Sequence, residues 1–207
     1  MDRTPYSCAP TFTPIKIQVW TDFVCPFCLL GEAIIEKAIE GLEVEIEWMP
    51  FELRPYPTPT LKPEDEYLPR VWKASVYPMA ERLGVPIQLP TVSPQPYTRK
   101  AFLGLQYAKQ QGKGNEYTTA VMKAFFQQNL NIGEDQVLKN ILANLGLNPA
   151  ELDEFVNSPL ANAQHDADLH YAKQLGIQAV PSLAVGEQFF SGVPSVQALR
   201  DAVQRER

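Results

Sequence analysis

Cysteine is scarce in this chain, with three among 207 residues, and histidine is scarcer, with two. No apolar run approaches the ~20 residues of a membrane-spanning helix, which argues against a membrane partner. No basic cluster offsets the net charge of −6. Nucleic acid, whose phosphates need a Lys/Arg-lined surface, is therefore a poor partner. There is no glycine-rich phosphate loop, no Ser/His/Asp arrangement, no repeat and no low-complexity tract. Residues 1–14 lack the basic start and apolar middle of a secretory signal. They read as a flexible polar tail and point to a cytoplasmic location. Cys8 falls in that tail and reads as a spare thiol, with a resolving role as the alternative.

What is present suffices for a real core. Apolar residues make up 45% of the chain, enough for one large domain or for a small domain carrying an insertion. The most informative stretch is Cys25-Pro26-Phe27-Cys28. It follows a β-rich run, Ile15–Thr21, and opens a run in which Leu30, Ile34, Ile35 and Ala38 recur at helical spacing. The first thiol meets the positive end of the helix dipole, which favours thiolate over thiol. The second lies one turn on, on the same face, so the Cα separation suits a reversible disulfide. Pro26 fits the first turn, where its missing N–H costs no hydrogen bond. In a reducing compartment such a pair is catalytic or metal-binding rather than a permanent staple.

After Gly41, residues 44–51 alternate Val44, Ile46 and Trp48 against Glu43, Glu45 and Glu47, a strand period. Strand, helix, strand implies a right-handed crossover with parallel strands. Residues 50–96 hold eleven of the nineteen prolines, which predicts an irregular connection, with a helical stretch over 67–83 kinked by Pro78. Helical patterns follow at 97–111, 116–129, 134–145, 149–156 and 160–175. Two short runs around Gly186-Glu187 predict a hairpin, and Ser195 reads as the N-cap of a last helix. The order β-α-β, helices, β-β-α gives one small mixed sheet interrupted by an all-helical insert. The expected division is 1–14 as tail, 15–60 with 172–207 as the sheet domain, and 61–171 as the insertion.

Val180-Pro181 precedes the hairpin. That bond is a candidate cis peptide, and its neighbours could pair with a substrate strand. The alternative is a trans proline opening an edge strand.

Asp22-Phe23-Val24-Cys25-Pro26-Phe27-Cys28 with Gly31, Trp48-Met49-Pro50-Phe51-Glu52-Leu53, Gly176-Ile177-Gln178-Ala179-Val180-Pro181-Ser182 and Phe190-Ser191-Gly192 together carry a resemblance. In this order, with Val-Pro about 150 residues after the thiol pair, the chain resembles the DsbA-type branch of the thioredoxin superfamily, FrnE-like proteins in particular. The resemblance implies a thioredoxin fold whose helical insertion caps the active site. It implies Cys25 as the exposed nucleophile, Cys28 as its buried partner, Pro181 as a cis-proline facing them, and Val180 beside it. It also implies a thiol–disulfide oxidoreductase, working as oxidase, reductase or disulfide isomerase. Some FrnE-like proteins carry a second cysteine pair near the C-terminus. This chain has no cysteine after Cys28, so a mechanism through an internal second pair is excluded.

The expected chemistry is attack by Cys25 on a substrate disulfide, a mixed disulfide, and resolution by Cys28. Phe23, Pro26, Phe27 and Val180 are candidate substrate contacts, with ordinary core packing as the alternative for the aromatics. The redox disulfide itself is the only expected prosthetic element, with glutathione as a candidate co-substrate. The expected partners are protein thiols or glutathione, acting on a monomer or homodimer. Asp22 either modulates the Cys25 thiolate or passes a proton, or it is simply a turn residue closing the strand, the reading preferred on sequence alone.

Three rivals remain. Zinc is disfavoured because His165 and His170, five residues apart on a helix, point about 140° apart; both are expected as ordinary surface or boundary residues. A non-redox chaperone-like binding protein is the second. The third is a glutathione-dependent isomerase or transferase of the hydroxychromene carboxylate isomerase type, which typically has serine where this chain has Cys25. Arg54 is read as a surface cation, with contact to an anionic substrate as the alternative.

Overall fold

The computed structural model describes residues 13–207; Cys8 and residues 1–12 of the expected tail lie outside them. Strand β1, Ile15–Thr21, leads through helix α1, Pro26–Ile39, into β2, Val44–Pro50. β1 and β2 pair in parallel, Ile15 opposite Val44 and Thr21 opposite Pro50. Gly41 closes α1 with φ of +75°, a left-handed turn that suits glycine. The chain returns with β3, Ser182–Val185, antiparallel to β1, and β4, Gln188–Ser191, antiparallel to β3. The sheet order is β2-β1-β3-β4. The terminal helix α9, Val196–Arg205, packs on α1 and begins where Ser195 Oγ accepts from the Ala198 N–H. This is a thioredoxin fold.

Between β2 and β3 lie the helices α2 (Tyr67–Val71), α3 (Tyr77–Leu83), α4 (Arg99–Gln110), α5 (Gly114–Phe126), α6 (Asp135–Asn144), α7 (Glu151–Asn157) and α8 (Pro159–Gln174). Pro78 does not simply kink the first helical stretch. A π turn, Trp72–Val76, joins α2 to α3, and the Tyr77 N–H donates five residues back to the Trp72 carbonyl. The wider turn relieves the clash that the proline ring would make with the carbonyl four residues before it.

The helices between the strands do not form a separate core. Ile17, Leu30, Trp48 and Leu183 from the sheet side are continuous with Trp72, Phe102, Phe125 and Leu142 from the insertion. Polar anchors reinforce this seam: Lys109 Nζ donates to the Trp48 carbonyl at 2.9 Å and Trp48 Nε1 to Asn115 at 2.7 Å. The insertion therefore packs over the C-terminal end of β1, where the two thiols sit.

Candidate active site

Cys25 is the N-cap residue of α1. β1 ends at Thr21, the Cys25 N–H turns back to the Asp22 carbonyl at 3.0 Å, and Pro26 starts the helix with Cys28 a turn further on. Both thiols are free and buried. Burial pushes the Cys28 thiol well up, and the adjoining Cys25 pushes it further the same way. Cys25, expected to be exposed, keeps only 5% of its surface. The helices above it close most of its approach.

Facing the pair is the turn before β3. The Val180–Pro181 peptide is cis, and the Cys25 thiol points to the Val180 carbonyl at 3.5 Å. Gly192 N–H donates to the Pro181 carbonyl at 2.8 Å, which ties this turn to the end of β4. α1 comes close because residue 31 is glycine; a Cβ there would lie 3.2 Å from Pro181 Cγ.

The approach that remains is a cavity of about 170 Å³, lined on the thiol side by Cys25, Pro26 and Phe27 and on the insertion side by Leu61, Trp72 and Gln95. Its walls are mainly apolar. Arg54 lies at its edge, exposed, beside Leu53 and Tyr67. Phe23 is not part of this surface. It is completely buried, its ring 4.6 Å from that of Phe102 and edge-on to Tyr117. The residue expected to touch substrate instead holds α4 and α5 onto the thiol loop, because its side chain points into the core and away from the cavity.

Asp22 opens the turn that closes β1, as expected, and it is buried as well. Its carboxyl lines the cavity with Cys25 yet is almost entirely buried, and Oδ2 accepts from the Leu53 N–H at 2.8 Å. Oδ1 has no hydrogen-bond partner among the described residues. Burial pushes this carboxyl up to about 7, against the pull of the Leu53 N–H and with a push from the nearby Glu52 charge.

His165 is not the surface or boundary residue expected. It is buried on α8, and Nε2 donates to Glu52 Oε1 at 2.5 Å, while His170 is exposed. Sequence reading missed this pair, 113 residues apart. The signal was the buried stripe Ala161, His165, Ala172 along α8, at helical spacing. Among the described residues no cluster of three or more Cys, His, Asp or Glu side chains could hold a metal ion.

Residues 16–204 match the DSBA-like thioredoxin domain. The chain belongs to that family. It is 41% identical over 195 residues to an uncharacterized protein of Bacillus subtilis (strain 168), YwbO, covering 93% of this chain and 98% of that one. Its fold is similar to that of a 2-hydroxychromene-2-carboxylate isomerase, with 18% identity, a TM-score of 0.76, and 93% and 97% of the two chains covered. It is also similar to the cytosolic disulfide reductase DsbM of Pseudomonas aeruginosa, solved with GSH, with 15% identity, a TM-score of 0.70 and the same coverage. No described helix is long and apolar enough to cross a membrane.

Proposed function

We propose that this protein is a thiol–disulfide oxidoreductase acting through Cys25 and Cys28. The observation that carries the reading is the position of Cys25: a helix N-cap beside a second thiol, facing the Val180 carbonyl and opening onto an apolar cavity. Cys25 thiolate attacks a substrate disulfide, forming one S–S bond and expelling a substrate thiolate. Cys28 then attacks Cys25 Sγ and releases the second substrate thiolate. The protein dithiol gives up two electrons, and the substrate disulfide takes them.

Cys28 is slow to ionise because it is buried, so resolution needs a proton acceptor close by. In this reading Asp22, whose backbone lies against Cys28 and whose carboxyl burial lifts to about 7, takes that proton. In the reverse direction the same group returns it. External thiols such as glutathione, or protein thiols of a reducing compartment, supply or remove the electrons. A cytoplasmic setting suits a dithiol of this kind. In this reading the substrate chain lies beside Cys25 near Val180 and Pro181, which face that thiol from behind the cavity, with Pro26 and Phe27 at its rim.

The test is trapping. Cys28→Ser, treated with a peptide disulfide, should accumulate a mixed disulfide on Cys25 visible by mass spectrometry. Cys25→Ser should accumulate none and should lose insulin-disulfide reduction. Full retention of activity in Cys25→Ser would refute the redox reading. The small apolar cavity with Arg54 at its rim favours one second reading, glutathione-dependent isomerisation of an aromatic acid. Turnover of such an acid by Cys28→Ser with glutathione would establish it.

A further inference from the structure

One group of buried polar side chains outside the dithiol lies at the seam between β2 and α8. The Leu53 N–H fixes the segment after β2 against Asp22. Glu52, one residue earlier, turns its side chain toward α8 and meets His165, and their side chains keep only 5% and 1% of their surface. The His165 ring stacks on Phe102 at 5.7 Å, and Phe102 packs on Phe23, the residue next to Asp22. The segment bearing Glu52 is thus gripped from both sides, by a hydrogen bond to the thiol loop and by a histidine from the insertion. His165 Nδ1, Asp22 Oδ1 and Trp20 Nε1 have no hydrogen-bond partner among the described residues. An unpaired buried polar atom is costly, and such groups in a folded protein call for a role.

We propose that Glu52 and His165 form a positioning pair that holds a negative charge beside Asp22 and so keeps Asp22 as the proton-holding group of the redox site. His165 reaches Glu52 only when α8 is docked on β2. The insertion thereby governs whether the thiol pair has its proton acceptor. This rests on the oxidoreductase reading above.

The charges around the cluster permit the assignment. Toward Asp22 face Glu52, the Cys25 thiol and, at the cavity edge, Arg54. Toward His165 face Glu52 and its own neighbour Asp166, which is already paired with Arg99 of α4 at 2.8 Å. Arg99 is therefore committed elsewhere. In this enclosed space a change in the charge of Glu52 reaches Asp22 with little screening.

The experiment uses the reduced full-length chain and follows Cys25 alkylation by mass spectrometry across pH 5–9. Asp22→Asn identifies the inflection that belongs to Asp22, because it removes it. Glu52→Gln keeps an acceptor for His165 but removes the charge. His165→Phe keeps the stack on Phe102 but frees Glu52 to take a proton or turn to solvent. Both should move the Asp22 inflection to lower pH by about half a unit to one unit, the size of a nearby charge's effect. His165→Gln, which restores a donor, should return it toward the wild-type position. The double variant should shift it no further than either single one. A structural role alone would lower stability without moving the inflection. An unmoved inflection in Glu52→Gln, or no inflection lost in Asp22→Asn, overturns the proposal. If the wild-type chain cycles between dithiol and disulfide in a glutathione series, that failure is confined to the positioning pair; if it does not cycle, the oxidoreductase reading falls as well.

Discussion

Replacing Asp22 by asparagine measures the cost of burying its charge, and the sign of the effect depends on pH. In the folded protein, burial lifts this carboxyl from 3.8 to about 7. The native state then binds the proton more tightly than the unfolded chain does. Its stabilising effect is fully present below about pH 4, is lost as pH rises through about 7, and is gone above that. At about 1.4 kcal/mol per unit, the whole span corresponds to about 4 kcal/mol by pH 8. Between pH 5 and pH 8 the share lost is about 2–3 kcal/mol. Asparagine cannot ionise, and its carbonyl can still accept from the Leu53 N–H. Urea unfolding of the wild type and Asp22→Asn at the two pH values should show the variant gaining about 2–3 kcal/mol relative to wild type from pH 5 to pH 8. Any fixed penalty of the amide cancels in that difference. A difference between the two proteins that is the same at both pH values would refute the reasoning, because Asp22 would then not be titrating as a buried acid.

Glu32 offers an independent case. Burial lifts its carboxyl to about 7 despite the Thr119 hydroxyl, and Oε2 has no partner among the described residues. The sign is the same, so Glu32→Gln should gain about 2 kcal/mol over the wild type from pH 5 to pH 8 in the same unfolding assay, with redox activity retained. Gly31→Ala tests the contact between α1 and the Pro181 turn. Alanine favours the helix by at most ~1 kcal/mol. Its Cβ would press on a buried proline ring held by the Gly192 N–H, and such overpacking costs about 1–3 kcal/mol. The expected net loss is about 1 kcal/mol, a fall in Tm of about 2–4 °C by calorimetry, with lower activity.

The architecture was legible in the sequence because it rests on periodicity and punctuation. Ile15–Thr21 reads as a strand from its own β-rich run, and the glutamates of residues 43–47 mark the exposed face of β2. Gly112, Gly146 and Gly176, each with positive φ, end helices where the sequence places stops. What resisted reading was burial of polar groups. Asp22 looks like a strand-closing turn residue, and only the covering insertion makes it a buried acid. His165 sits among Asp166, Asp168 and Gln164, which suggests a solvated face. Its partner Glu52 is remote in sequence, and no local pattern joins them. Phe23 could be read as surface or core, because the side chains of a loop have no fixed period. The π turn was hidden for a related reason: a proline predicts local disruption but not the form it takes.

The two parts of the chain divide the labour of the site. The strand, helix and turn of the thioredoxin unit supply the thiols and the turn that faces them: Cys25 at the N-cap, Cys28 a turn on, the Val180 carbonyl, and Pro181 lodged against Gly31. The residues that decide what can reach that sulfur come from between β2 and β3. Leu61, Tyr67, Leu68, Trp72, Gln95 and Thr98 wall the cavity, and Phe102 and Tyr117 clamp Phe23 beneath it. Because one apolar core runs through both parts, movement of the insertion would also disturb the surroundings of Asp22 and Cys28. Access to the thiols and the acidity of their neighbours are therefore coupled through packing.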